Sequence, residues 1–295
     1  MTKQKAVVEL IFAGILWGYG FLATKWALLD FSVYDLLFYR YGSAILLTEI
    51  YFLFSEGFSS KEIMKKEFKL AMMPGLLMAA FIIPQTLGLQ YTSATKSGFI
   101  TTLYVLIVPL LNHFFFKEKA SFKIYLWSAL AIFGTTLLLN IFSESPDLNK
   151  GDVWTLVCSV MAALQIIFIG KVANLTSSPL RLNNYQNIWT LLCLSPFFFT
   201  QEKIHILPTQ WISWFGILTM AIGSSILAFT IQVRAQKVLS SAVASQLFLL
   251  ESPFAFMFGY LFLNETLTWI QFLGAMIIIV SSYLTLREEQ ILHSK

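Results

Sequence analysis

The chain repeats itself at a spacing of 147 residues, and that repeat limits its possible folds more than any other feature. Residues 236–285 read as a long apolar run, a short polar turn at Asn264-Glu265-Thr266 and a second apolar run. The same plan stands 147 positions earlier, where Glu118 answers Glu265, Ser93 answers Ser240, Thr95 answers Ala242 and Gly134 answers Ser281. Extended upstream, the offset places Gln85 on Gln232. Shortened by one, it places Tyr39-Arg40 on Tyr185-Gln186 and Lys25 on Lys171. One small insertion thus reconciles a repeat that runs from about residue 5 to 285. The chain divides into two related halves, 1–145 and 146–295.

What the halves are made of follows from their runs. With 57% hydrophobic residues, 12% charged and a mean hydropathy of +0.71, the chain lacks the polar surface that a soluble domain of 295 residues needs. Crossing about 30 Å of hydrocarbon takes about 20 apolar residues in a helix. Runs of that length predict ten spans, at 6–29, 34–54, 69–90, 95–116, 123–141, 152–173, 184–200, 210–233, 241–263 and 268–286. The expected fold is an all-α integral membrane protein of ten transmembrane helices. Five spans per half turn the second copy over, so the repeats are inverted. The first run, Ala6 to Leu29, has a counterpart in the second half and reads as a retained helix rather than a leader.

Lys and Arg set the orientation. With the N-terminus cytoplasmic, fifteen of them fall in cytoplasmic segments, and three, Lys96, Lys150 and Lys203, fall outside. Both termini are then cytoplasmic in a plasma or inner membrane. Residues 55–69, with KEIMKKEFK, read as a solvated connector, the alternative being a short amphipathic helix on anionic lipid. The net charge of +4 is accounted for by this orientation, leaving no role for nucleic acid. Cys158 and Cys193 stand inside apolar runs without metal-ligand spacing, so they read as small core residues, with no metal and no cofactor expected.

At these residues the chain resembles the EamA-type transporters of the drug/metabolite transporter superfamily. The resemblance is carried by Leu16-Trp17-Gly18, Phe38-Tyr39-Arg40, Ala94-Thr95 with Pro109 and Lys117-Glu118, and Glu251-Ser252-Pro253 through Leu263-Asn264-Glu265-Thr266. It implies two inverted five-helix halves around a cavity lined by the first, third, fourth, sixth, eighth and ninth helices. It also implies movement of amino acids, nucleotide precursors or other small metabolites, many of them outward.

Polar residues inside spans are the candidates for a site, because an acid at the centre of a lipid-facing helix costs about 2.5 to 3.5 kcal/mol. Ser97, Thr101 and Tyr104 form a stripe at helical spacing, mapping onto Ala244, Phe248 and Glu251, and the two stripes are expected to face each other. Glu251 reads as a site for a substrate ammonium or a proton, against a structural acid beside Pro253. Gln85 and Gln232 read as a matched amide pair that either orients substrate or ties helices together. Trp17, Tyr19 and Gln165 lie near mid-depth on helices that the resemblance places in the wall. Arg40 is expected near the outer edge as a gate residue, paired with a carboxylate such as Asp35 or anchored to lipid phosphate.

An enzyme would need a catalytic constellation, and the sequence has no HExxH, no intramembrane Asp pair and no Ser or Cys with a His partner. The expected function is alternating-access transport of a small metabolite, an amino acid or amine, in the export direction. Uptake or exchange of a nucleoside-type or cofactor-type metabolite is the alternative, with a membrane-embedded enzyme as the other class. The expected partners are the substrate, the bilayer and, as a candidate, a coupling proton, with the chain acting as a monomer or homodimer.

Overall fold

The computed structural model describes residues 1–55, 61–116, 122–138, 149–266 and 268–293. Glu118, the Lys117-Glu118 motif and most of the segment joining the halves lie outside the described residues. Among those described, every regular element is a helix: α1 Lys3–Ala27, α2 Val33–Ser55, α3 Lys61–Leu89, α4 Ala94–Thr101, α5 Tyr104–Phe116, α6 Phe122–Leu138, α7 Lys150–Val172, α8 Pro179–Phe199, α9 Trp211–Met220, α10 Phe229–Ala235, α11 Ser241–Phe248, α12 Glu251–Leu263 and α13 Trp269–His293. A 3-10 turn, Ala173–Leu175, follows α7, and a π-helical stretch, Ala221–Ala228, joins α9 to α10. These pieces make the ten expected spans, three of them broken: the fourth is α4–α5, the eighth is α9–π–α10 and the ninth is α11–α12.

Two expectations need correction. The third span starts at Lys61 rather than near residue 69, so all of KEIMKKEFK is helix and not a connector. Its Glu67 is buried because it takes Thr176 Oγ1 at 2.6 Å and Ser177 N at 2.8 Å, which fixes this turn against the start of α8. The seventh span runs a full Pro179–Phe199, with Pro196 confined to its last turn. It carries Asn183, Asn184, Gln186 and Asn187, all buried, and these polar side chains are turned toward its neighbours.

The breaks obey the repeat residue for residue. Adding 147 to the bounds of α4 and α5 gives those of α11 and α12, and the interruptions fall at Thr102-Leu103 and Leu249-Leu250. In the second copy the cause is Pro253, which lacks the N–H for Leu249 O and whose ring crowds that carbonyl. Ser252 N takes Leu249 O instead, at 3.1 Å. The first copy has Leu106 at the matching position, and there Thr102 Oγ1 donates back to Phe99 O at 2.7 Å, a contact that bends helices.

Packing is pairwise across the halves: α1 lies on α9 and α12, α3 on α7 and α8, α2 on α8, and α6 on α13. Small residues permit the close approaches. A Cβ at Gly18 would stand 2.5 Å from Phe254 Cβ and 2.8 Å from Glu251 O, so α1 and α12 meet backbone to backbone at this level. Large apolar side chains such as Leu46, Phe54, Leu192, Leu261 and Leu273 are exposed on the outside of the bundle, where a bilayer would cover them. Seven helices among the described residues are long and apolar enough to cross a membrane.

Candidate functional site

Where the broken spans converge they leave a cavity of about 70 Å³. Its apolar wall includes Trp17, Phe21, Phe81, Ile82, Phe229 and Phe248, and its polar wall includes Thr24, Arg40, Gln85, Thr101, Tyr104, Gln165, Ser224, Gln232 and Glu251. Nine residues singled out in the sequence thus come together: Trp17, Arg40, Gln85, Thr101, Tyr104, Gln165, Gln232, Phe248 and Glu251.

Two others do not reach it. Ser97 is buried one turn away against α7, its Oγ 3.5 Å from Thr155 Oγ1. The break after Thr101 interrupts the stripe to which Ser97 was assigned. Tyr19 turns toward α9 and α12, its hydroxyl 3.0 Å from Thr219 Oγ1 and its ring edge-on to Phe258.

The tips of the matched stripes do meet. Tyr104 Oη donates to Glu251 Oε1 at 3.0 Å, and the Tyr104 and Phe248 rings lie 6.5 Å apart at 78°. Trp17 stands edge-on to Phe248 at 5.0 Å and tilted on Phe229 at 5.3 Å, forming an aromatic floor beside the carboxyl group. The helix start at Glu251 positions this carboxyl group: as the first residue after the Leu249-Leu250 break, it leaves the α11 axis and points at the facing copy.

A chain of amides runs from the cavity into the second half. Gln232 Nε2 donates to Gln165 Oε1 at 3.0 Å, Gln165 Nε2 to Gln186 Oε1 at 3.0 Å, and Gln186 Nε2 to Asn183 Oδ1 at 3.2 Å. Asn183 Nδ2 then donates to Ser225 O at 2.8 Å, and Asn187 Nδ2 reaches the same carbonyl at 3.2 Å. Ser225 lies in the π-helical stretch. Such stretches occur frequently at functional sites, and here amides of α8 donate to a carbonyl within one. The counterpart of Gln232 behaves differently: Gln85 Nε2 donates to Thr101 Oγ1 at 3.3 Å.

Arg40 departs from its expected place. It is buried, lines the cavity, and donates from Nε to Ser225 Oγ at 2.8 Å. Asp35 is engaged elsewhere, accepting from Gln201 Nε2 at 3.1 Å and lying 3.1 Å from His205 Nδ1. Neither the carboxylate pair nor the lipid anchor describes the residue. The sequence reading missed the π stretch, Ser225 and the α8 amides. The polar run Asn183-Asn184-Tyr185-Gln186-Asn187 inside a span was the visible signal for the last of these.

Both copies of the repeat match one transporter family, described as EamA-like, over residues 4–140 and 149–287. The chain belongs to the EamA-like transporter family. An uncharacterized transporter of Archaeoglobus fulgidus is 29% identical over 285 residues, covering 95% of this chain and 85% of that protein. The uncharacterized transporter YetK of Bacillus subtilis is 24% identical over 195 residues, covering 63% of this chain and 58% of its own. A solved crystal structure, 14% identical, superposes on this EamA-like chain with a TM-score of 0.73, covering 98% of this chain and all of the other, and it shows the shared fold. The protein is therefore a multi-pass membrane transporter of a small molecule, built from two copies of the family's repeat.

Proposed function

We propose that this transporter carries a small amine-bearing metabolite, an amino acid or amine, by alternating access and in the export direction, with Glu251 as the site of its ammonium group. The observation that carries the reading is the Glu251 carboxyl group, buried in the cavity wall with Tyr104 Oη as its hydrogen-bond partner. A buried acid with so little compensation needs a counter-charge. An ammonium group or a proton supplies it, and exchange between the two would couple transport to a proton. The aromatic floor of Trp17, Phe229 and Phe248 suits a cation further, because ring faces attract it. Inverted repeats around a midplane site are a recurring transporter plan. The Lys and Arg asymmetry supports cytoplasmic termini in the plasma or inner membrane.

The test is a thermal-shift screen of purified protein against amino acids, amines, nucleosides and sugars, followed by transport in proteoliposomes. Amine-bearing compounds should stabilise the wild type, and Glu251→Gln should fold normally yet lose both the shift and transport. Wild-type transport with unchanged pH dependence in a well-expressed Glu251→Gln protein overturns the reading.

A further inference from the structure

We infer that Arg40 binds a carboxylate of the transported molecule, so that cargo is held at two opposite charges and is an amino acid rather than a simple amine. This rests on the cavity being the transport site proposed above.

The second helix is absent from the set of cavity-lining helices that the resemblance implies, yet Arg40 projects from it into the cavity wall and is only 5% exposed. A guanidinium group remains charged at any accessible pH and presents its donors in a rigid fork suited to carboxylates. Among the described residues, Arg40 has no carboxylate within 4.0 Å: its contacts are Ser225 Oγ through Nε, Met220 Sδ at 3.9 Å from Nη1, and the neighbouring Tyr41 ring. The nearest acid along its own helix, Asp35, is taken up by Gln201 and His205. The Ser225 backbone is itself pinned by Asn183 and Asn187, so the Nε contact fixes the plane of the guanidinium group. A buried, oriented and uncompensated cation in a substrate cavity is a site for an anion.

The cavity brings Arg40 and Glu251 together. Met220 Sδ contacts both Arg40 and Thr24 Oγ1, which sets the guanidinium near the level of Thr24 on α1. The Glu251 backbone lies against Gly18. The two charged residues thus enter the cavity at different levels along α1. A molecule that carries an ammonium and a carboxylate group, as an amino acid does, can engage Glu251 and Arg40 together in this one cavity.

The experiment compares each proteinogenic α-amino acid with its decarboxylated amine, by thermal shift and by proteoliposome counterflow. One or more amino acids should stabilise the wild type and exchange, and the matching amines should do so at least roughly tenfold more weakly, as expected for loss of a charged hydrogen bond. Arg40→Gln installs the side chain that stands at the repeat-matched position, Gln186. It should lower amino-acid affinity roughly ten- to hundredfold and abolish the preference over the amine, while Arg40→Lys restores part of it. Equal binding of amine and amino acid by the wild type overturns the inference, and needs no variant to fold. A preference that survives Arg40→Gln overturns it too. In either case, amine binding that still depends on Glu251 leaves the proposed function standing. If neither ligand class binds the wild type, both fall together.

Discussion

Tyr104 Oη donates to Glu251 Oε1 at 3.0 Å, and the two residues are images of each other under the 147-residue repeat. A contact between a residue and its own image lies on the axis relating the two halves. In transporters built from inverted repeats, substrate sites lie at the interface of the two copies. One copy supplies a donor and the other an acid, so the axis is symmetric in backbone and asymmetric in chemistry.

Tyr104→Phe keeps the ring against Phe248 and removes only the hydroxyl. A hydrogen bond to a charged group contributes about 1.5–3 kcal/mol, so the KM for an amine-bearing substrate should rise roughly tenfold or more. Expression and solubilisation should match the wild type. An unchanged KM would mean that the carboxyl group is positioned by its helix alone.

The matched amides should fail differently. Gln85→Ala removes a contact to Thr101 and should weaken ligand-induced stabilisation with little loss of melting temperature. Gln232→Ala also strands Gln165 Oε1, which is buried and heads the chain to Ser225, at a cost of about 1–3 kcal/mol. Its melting temperature without ligand should therefore fall as well. Equal melting temperatures for the two variants would show that the amide chain does not support the fold.

That inequality shows where the sequence stopped being legible. The repeat was readable because 147 recurs in local motifs, and it carried the Tyr104–Glu251 match and the pairing of Gln85 with Gln232, while the apolar runs carried the span count. The partner of Arg40 was not, because Ser225 stands 185 residues away and presents its hydroxyl from a π-helical turn that AIGSSILA does not announce. Arg40 beside Asp35 on one helix suggested a local pair. The structure spends Asp35 on residues 201 and 205, after α8. The buried amides of α8 lowered its apparent hydropathy, so the seventh span looked shorter than it is.

Gly18→Ala tests the close approach that aims Glu251. The added carbon would meet Phe254 Cβ and the backbone at Glu251 and Ala255, none of which can swing aside as a flexible side chain could. Overpacking of this kind costs about 1–3 kcal/mol. The variant should melt lower than the wild type and lose transport more than its stability alone explains. Wild-type melting and transport would show that α1 and α12 separate freely.

Asp30, in the turn between α1 and α2, governs the segment that follows α8. Hydrogen bonds from Ser213 Oγ and from the Thr209 hydroxyl and amide, with Gln210 N, hold its carboxyl down at about 2, from an ordinary 3.8. A depressed value means that the attachment is fully present above pH 3.8 and is lost as pH falls through about 2. Amide exchange at Thr209 and Gln210, corrected for its intrinsic pH dependence, should show constant protection from pH 8 to pH 4. In Asp30→Asn that protection should drop across the whole range. Protection that fades between pH 6 and 4 in the wild type would assign the attachment to another group.

Glu265 closes the end of the bundle opposite the N-terminus. Its carboxylate accepts from Ala94 N at 3.1 Å, Thr95 N at 3.2 Å and the Thr95 hydroxyl, so a turn of the second half caps a helix of the first. A negative group at a helix start is favoured by the helix dipole as well as by the unpaired N–H groups. The helices it joins carry the cavity: α4 brings Thr101, and α12 begins at Glu251. Glu265→Ala should therefore loosen this end and admit solute to the cavity from that side. A cysteine at Ser224, in a background lacking Cys158 and Cys193, reports the change through its rate of reaction with an impermeant thiol reagent applied to intact cells. The rate should rise several-fold in Glu265→Ala and stay low with Glu265 intact, while a cysteine at exposed Lys203 reacts in both. Failure of Lys203→Cys to react would reverse the orientation drawn from the basic residues. Reaction there with no change at Ser224 would show that the Glu265 cap does not control access.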